Sequence, residues 1–438
     1  MFVALAGAAT VLATGGSGAT PPNILLILTD DQRSEGTMTV MPQTQQWFQT
    51  GGTQFPNTFV TTPECCPSRS TIFSGLYVHN HGVRTNDSSP NLDQRYTFQR
   101  YLHDAGYQTG FYGKYLNAWN LLHNPPNFDK WSIFTAGYSP IRVNEQGVVK
   151  GVTQYATSYI SDNAVQFIQN AGANSRPWFL ELSTTAPHAP FTPEAKYANA
   201  PVPPFQPNPS QSETDRSDKP PFIQAASVDS NTVTTTRANQ LRTLMSVDDM
   251  VERVFETLEA TGQDGNTLAI FLSDNGYEWG DHGLIEKGVP YDEDIRVPMF
   301  MRWPGHVTAG ATDSRLVESV DLAPTFLDAA GVTPSRQMDG RSILGSPNRS
   351  RVYTEFFAAT KDSNPSWGSL WTPAYQYNEY YSSTEPRRIL FREYYDLTSD
   401  PYELTNLLND GNPGNDPPTA SLSAQLAADL HCSSSNCP

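Results

Sequence analysis

The run "NILLILTDDQ", residues 23–32, is apolar from Ile24 to Leu28 and stops at Asp30 and Asp31. A strand with one wet face alternates apolar and polar side chains. A strand apolar throughout is covered on both faces, as in a parallel sheet packed between helices. Three more runs share this form. "QTGFYGKYLN" (108–117) contains Lys114 near its end, "PWFLELSTTAPHAP" (177–190) runs into His188, and "TLAIFLSDNGY" (267–277) into Asp274 and Asn275. Helical patterns separate them at 97–106, 161–172, 240–262 and 319–331, each closed by a glycine. Strand alternating with helix predicts an α/β fold, a doubly wound sheet with helices on both faces.

A chain of 438 residues suits one large α/β domain with a smaller appendage. The formal net charge of −17 argues against nucleic acid as a partner, because phosphates need Lys and Arg; a local cationic pocket remains open. Residues 1–20 hold a short apolar run followed by small residues, too short to span a membrane. They read as a signal-peptide remnant without the usual basic start, so the expected location is secreted or extracytoplasmic. Cys432 and Cys437 flank a Ser-rich loop and are read as a local disulfide, with two free thiols as the alternative. Residues 194–236, rich in Pro, Ser, Thr and Asn, read as a surface excursion, either a lid or a disordered loop. After residue 345 the segments "RVYTEFF", "AYQYNEYYSS" and "RRILFREYYDL" predict short antiparallel strands. The division expected is a domain at 21–345 and a small antiparallel subdomain at 346–438.

In open α/β sheets ligands bind beyond the carboxyl ends of the strands. Asp30, Asp31, Lys114, His188, Asp274 and Asn275 all follow such ends. The three carboxylates and the amide offer hard oxygen ligands that suit Ca²⁺ or Mg²⁺ and not zinc. The alternative is a helix cap at Asp30–Asp31 and a plain turn at Asp274–Gly276. "TTPECCPSRSTIFSG" (61–75) adds two adjacent cysteines. "SRSTIFSG" reads as the first turns of a helix, so Cys65 would precede a helix N-terminus, which favours an anion. Arg69 can present a guanidinium fork, and Lys114 and Lys287 are further cations. Together they would hold the sulfate or phosphate of an ester. A strained vicinal disulfide or a pair of buried structural thiols are the other readings of Cys65 and Cys66. A thiolate beside a hard cation is chemically mismatched.

Cys65-Cys66-Pro67-Ser68-Arg69, followed by Ser74-Gly75, resembles the C-x-P-S-R signature of type I sulfatases. "NILLILTDDQ", "GKYLN", "TAPHAPF", "FLSDNGY", "EKGVPYDEDIRVP" and "YYDLTSDPYELTNL" are similar to that family's other motifs, so the resemblance spans nearly the whole chain. It implies an alkaline-phosphatase-like mixed sheet. It also implies that a formylglycine-generating enzyme converts Cys65 to Cα-formylglycine. By the same resemblance Asp30, Asp31, Asp274, Asn275 and the modified Cys65 bind a cation, commonly Ca²⁺. Arg69, Lys114 and Lys287 hold the modified residue and the sulfate, and His188 stands by the leaving oxygen. Leu116, with Asn117 next, occupies the place where many members have His, and Asn117 is carried as a site residue. The pattern with "YVHNH" (77–81) is similar to N-acetylglucosamine-6-sulfatases and to the catalytic domain of extracellular endosulfatases, so His79 and His81 are candidates for lining the pocket. The chain lacks the endosulfatases' basic domain, which favours small or chain-end sulfated sugars. An arylsulfatase, a phosphonate monoester or phosphodiester hydrolase, and a non-catalytic anion-binding protein are the alternatives.

Overall fold

The computed structural model describes residues 20–173, 176–345, 349–359, 364–385 and 388–438. The expected leader lies outside these, apart from Thr20. A ten-stranded sheet forms the centre. In chain order its strands are β1 (Asn23–Asp30), β2 (Thr53–Gln54), β3 (Gln108–Lys114), β4 (Lys130–Phe134), β5 (Ile141–Glu145), β6 (Val148–Val152), β7 (Trp178–Pro187), β8 (Thr267–Ser273), β9 (Met299–Arg302) and β10 (Ala311–Thr312). Across the sheet the order is β10-β2-β9-β8-β1-β7-β3-β4-β5-β6. The middle five, β8, β1, β7, β3 and β4, are parallel neighbours. On the flanks β9 and β5 run antiparallel to the middle strands and β6 pairs antiparallel with β5, which makes the sheet mixed.

The all-apolar β1 is explained by its two covers. Ile24, Leu26 and Leu28 face one core with Ile72 and Phe73 of α1 (Cys65–Ser74), Phe98 and Leu102 of α2 (Phe98–Asp104), and Phe326. Leu25 and Ile27 face the other, with Ile160 and Phe167 of α3 (Ala156–Gly172) and Leu244 and Val251 of α4 (Ser230–Ala260). Phe326 lies on α5 (Leu322–Ala330). The helices therefore cover both faces, as the alternating pattern predicts. At the centre Gly113 is required by a close approach: a Cβ there would lie 1.8 Å from the Ser183 carbonyl oxygen of β7, at a φ of +130°.

Four strands, β11 (Val352–Phe356), β12 (Ser366–Trp371), β13 (Tyr375–Tyr381) and β14 (Ile389–Asp396), form the expected small antiparallel sheet. Its Trp367, Trp371 and Tyr380 belong to the same core as Leu26 and Phe73. A helix, α6 (Thr419–Asp429), and the Cys432–Cys437 disulfide pack against Tyr353 and Leu370 of this sheet.

Two readings of the sequence need correction. First, α4 starts at Ser230, ten residues before the pattern at 240. The Thr-rich stretch 232–236 is a poor helix former and hides the start. Asp229 caps it, its carboxylate accepting from the main-chain N–H groups of Asn231 and Thr232. Second, the preceding excursion is anchored rather than loose. Lys219 is fully buried and donates to the Glu403 carbonyl (2.6 Å) and Tyr395 (3.1 Å), and Ser210 donates to Asp281 (2.9 Å).

Candidate active site

The carboxyl ends of β1, β3, β7 and β8 meet at one buried cluster. Asp30 ends β1, and Asp31 follows in the left-handed region at φ 68°, a conformation aspartate tolerates better than most residues. The Asp274 main chain donates to the Thr29 carbonyl (3.0 Å), and that of Asp31 donates to Asp274 Oδ1 (3.2 Å). Asn275 Nδ2 donates to Asp31 Oδ1 (2.7 Å). A Cβ on Gly276 would fall 1.9 Å from the Glu293 carbonyl oxygen, so only glycine lets this turn pack so closely.

The N-terminus of α1 points into the cluster. Cys65 is the first residue of the helix rather than one preceding it, with Glu64 as the extended N-cap. Pro67 is accepted in that first turn because its missing N–H would have had no intrahelical partner. Cys65 Sγ lies 3.3 Å from Asp30 Oδ1 and 2.9 Å from Lys287 Nζ. Arg69 donates from Nε to Asp274 Oδ2 (2.7 Å) and from Nη1 to the Lys114 carbonyl (2.8 Å) and Ser183 Oγ (2.5 Å). Lys114 pairs with Asp30, and Lys287 with Asp31 and with Asn275 Oδ1. His188 donates from Nδ1 to the Ala189 carbonyl (2.7 Å), which turns Nε2 toward Asp31 Oδ2 at 3.7 Å.

Electrostatics follow from this crowding. Burial alone would raise Asp30, but Lys114, His188, Arg69 and Lys287 together hold it far below the usual carboxylate range. Burial and the neighbouring Asp30 push Asp274 the other way, against Arg69. Burial opposes the charge on His188, yet Asp31 and Asp30 push it up to about 10. Asp30, Asp31, Cys65 and His188 each bring a ligand atom within 4.8 Å of one another. Three carboxylates and the Asn275 amide oxygen, three of the four fully buried and Asp31 nearly so, form the hard oxygen set that a divalent cation requires. The residues present thus fit such an ion.

The other candidates have different surroundings. Cys66 is a core residue whose thiol burial pushes up to about 12, so it stays protonated and inert. Leu116 is fully buried in the same core. Asn117 is half-buried, and its Oδ1 has no hydrogen-bond partner. His79 bonds Glu355 Oε1 (2.9 Å) and the Cys432 carbonyl (3.0 Å), and His81 bonds Thr71 Oγ1 (3.1 Å) and the Val83 N–H (3.0 Å). Both tie helices to their neighbours, and burial pushes His81 down to about 3, so it is neutral.

Sequence reasoning passed over several supporting groups. Ser68 Oγ donates to the Asp274 carbonyl (2.5 Å), so the serine of the signature shares with Arg69 the task of fixing that turn. Asn86 accepts from the Cys66 N–H (2.9 Å). Asp294 Oδ2 accepts from the N–H groups of Gly288 (2.6 Å) and Val289 (2.9 Å) and so shapes the Lys287 loop. Only the acid inside "VPYDEDI" hinted at the last.

Glu181 of β7 is fully buried, and neither carboxylate oxygen has a hydrogen-bond partner among the described residues. Burial pushes it up to about 8 despite Arg69. As pH rises past the ordinary value of 4.5 the unfolded chain releases this proton while the folded chain keeps it. Between that value and about 8 each increment of pH therefore favours unfolding. Glu181→Gln removes the effect. The variant should match the parent near pH 4 and exceed it progressively up to pH 8, by roughly 5 kcal/mol at most. Thermal unfolding at several pH values checks this; a constant Tm difference would refute it.

A family model described as "Sulfatase" matches residues 22–332, and one described as "N-sulphoglucosamine sulphohydrolase, C-terminal" matches 280–431. The chain is 37% identical over 349 residues to the extracellular sulfatase SULF-1 homolog of Drosophila melanogaster, covering 74% of this chain and 31% of that protein. This chain thus matches under a third of that relative's length. It is 32% identical to the N-acetylglucosamine-6-sulfatase of Homo sapiens, over 91% of this chain and 83% of that one. A solved structure titled as a complex with its substrate D-glucosamine-2-N,6-O-disulfate superposes with a TM-score of 0.82 at 23% identity, covering 93% of this chain and 97% of that one. A family match over more than two thirds of the chain, and a relative at this identity over most of both lengths, establish that the chain belongs to the sulfatase family.

Proposed function

We propose that the protein hydrolyses sulfate esters of amino sugars, of the N-acetylglucosamine 6-sulfate type, after Cys65 has been converted to formylglycine. The observation that carries this reading is the position of Cys65. A thiol stands at a helix N-terminus among hard oxygen donors, two buried cations and the half-buried Lys287, where sulfur is the wrong nucleophile and an oxygen nucleophile is the right one. The hydrated aldehyde would supply that oxygen and a second hydroxyl through which sulfate is released. Asp30, Asp31, Asp274 and Asn275 would hold a Ca²⁺ or Mg²⁺ ion, which supplies Lewis-acid stabilisation of the sulfuryl oxygens.

The chain's own residues do the rest. Lys114, Lys287 and Arg69 are held by carboxylates whose charge a bound cation would take over, leaving the three to face the sulfate. His188 has the most exposed side chain of the set, at 28%, against 16% for Lys287 and 1% for Lys114. It is therefore placed to give its Nε2 proton to the departing sugar oxygen, while the Ala189 carbonyl keeps Nδ1 protonated. Beside the Lys287 loop opens a cleft of about 610 Å³ lined by His79, Arg84, Phe357, Trp367 and Tyr381. Trp367 anchors it to that loop by donating to the Gly288 carbonyl (2.9 Å). Aromatic faces and a guanidinium suit an anionic sugar. The likeness to extracellular and sugar-6-sulfatases supports both this substrate class and secretion.

Mass spectrometry of the Cys65 peptide from protein made with a formylglycine-generating enzyme should show the aldehyde. The same sample should cleave N-acetylglucosamine 6-sulfate faster than matched phosphate, galactosamine-sulfate and aryl-sulfate esters. An intact thiol in active protein, or preference for the phosphate ester, would overturn the reading.

A further inference from the structure

A second group of ligand atoms lies behind the Lys287 loop. His282, Glu293 and Glu403 each bring one ligand atom within 4.8 Å of the others. His282 is fully buried, and its Nδ1 bonds Glu213 Oε2 at 2.8 Å. A carboxylate on Nδ1 fixes the proton there and leaves a lone pair on Nε2, the usual support of a metal-binding histidine. Among the described residues Nε2 has no hydrogen-bond partner, and neither has Glu403 Oε1, on a residue only 1% exposed.

Charge points the same way. A neighbouring acidic group, Glu278, Asp281 and Glu293, contains its own cation, with Arg33 2.7 Å from Asp281 and 3.6 Å from Glu293. In the His282 group Glu293 shares that Arg33, while His282 and Glu403 form no ion pair with an arginine or lysine among the described residues. Lys219, the nearest ammonium, is engaged by the Glu403 main-chain carbonyl, Tyr395 and Glu213. Buried carboxylates in excess of cations must either hold protons or bind a metal. Burial, with Asp281 and Asp292 beside Glu293 and with Asp292 and Glu293 beside Glu403, pushes both carboxyls well up, while burial pushes the His282 ring down.

We propose that His282, Glu293 and Glu403 form a second metal site, taking Zn²⁺, separate from the hard-cation site at Asp30–Asn275. One imidazole nitrogen and two carboxylates make a three-ligand zinc set with room for water. The site would staple two parts of the chain together. Glu293 belongs to the segment whose main chain holds Gly276 and Tyr277, while Glu403 follows β14. The ion would fix the loop carrying Lys287 from behind.

The test uses the full chain, stripped with chelator, reloaded with Zn²⁺ and dialysed. Elemental analysis should give one retained zinc per chain, and Zn²⁺ should raise Tm by several degrees. Diffraction at the zinc edge should place the anomalous peak between His282 and Glu403. His282→Gln and Glu403→Gln should each lose the retained zinc, and Asp31→Asn should keep it. Zinc only at the Asp30 cluster, no retained zinc, or unaltered retention in Glu403→Gln would each overturn the proposal. The anomalous map of the unmutated chain decides the matter even if a variant fails to fold.

Discussion

Cys65→Ala lowers sulfate-ester turnover by roughly four orders of magnitude or more, the scale on which removal of a nucleophile acts, and leaves the fold intact. The two halves of this expectation have different causes. Cys65 is 1% exposed but packs against polar groups, with Asp30 and Lys287 as neighbours, so losing its sulfur opens no apolar cavity. Alanine is also a good residue for the first turn of a helix. Thermal unfolding should therefore change little while activity disappears. Cys65→Ser makes the sharper companion. A serine oxygen could accept a sulfuryl group but has no second hydroxyl with which to expel it. At most one turnover per chain is expected. Sustained turnover by either variant would remove Cys65 from the reaction.

Arg69→Ala costs about 3–5 kcal/mol of stability and activity with it, because it strands a buried charge. The guanidinium is 1% exposed and spans three elements: Asp274 after β8, the Lys114 carbonyl of β3 and Ser183 of β7. Asp274 is itself fully buried, so its carboxylate loses its nearest cation. Arg69→Lys should rescue little. A lysine ammonium cannot make the separate Nε and Nη1 contacts of a planar fork. Denaturant unfolding at neutral pH gives the stability loss, and kcat on a sulfate ester the activity loss. A variant with parental stability would mean that Asp274 draws its compensation from elsewhere.

The core sheet was legible because its strands are covered on both faces. β1, β3 and β8 carry no charged side chain until they emerge, so the first charged residue marks where each ends. Asp30, Lys114 and Asp274 could be read from that rule. β7 breaks it at the mid-strand Glu181, and His188 was legible only as the residue into which the run leads; the structure brings all four together. Ser68 and Ser183 carry no such signal, since a serine on a helix or strand looks the same whether or not it serves a distant turn. The start of α4 was hidden by threonines that disfavour helix locally and are overruled by packing of Val233 and Thr236. The group at His282, Glu293 and Glu403 was invisible because its members are 121 residues apart at the widest and follow no strand of the main sheet.

The burial of the Cys65–Arg69 segment has a consequence in time. Cys65, Cys66, Pro67, Ser68 and Arg69 are all buried within α1. Any enzyme that reads these residues as a sequence must do so while the chain is still extended. Once α1 docks against β1 and the Asp274 turn closes over Ser68, the substrate of that enzyme no longer exists. On the proposed conversion of Cys65, each molecule would have a single opportunity to become active, between synthesis and folding. The specific activity of a preparation would then be set by the outcome of that race and not by anything added to the folded protein afterwards.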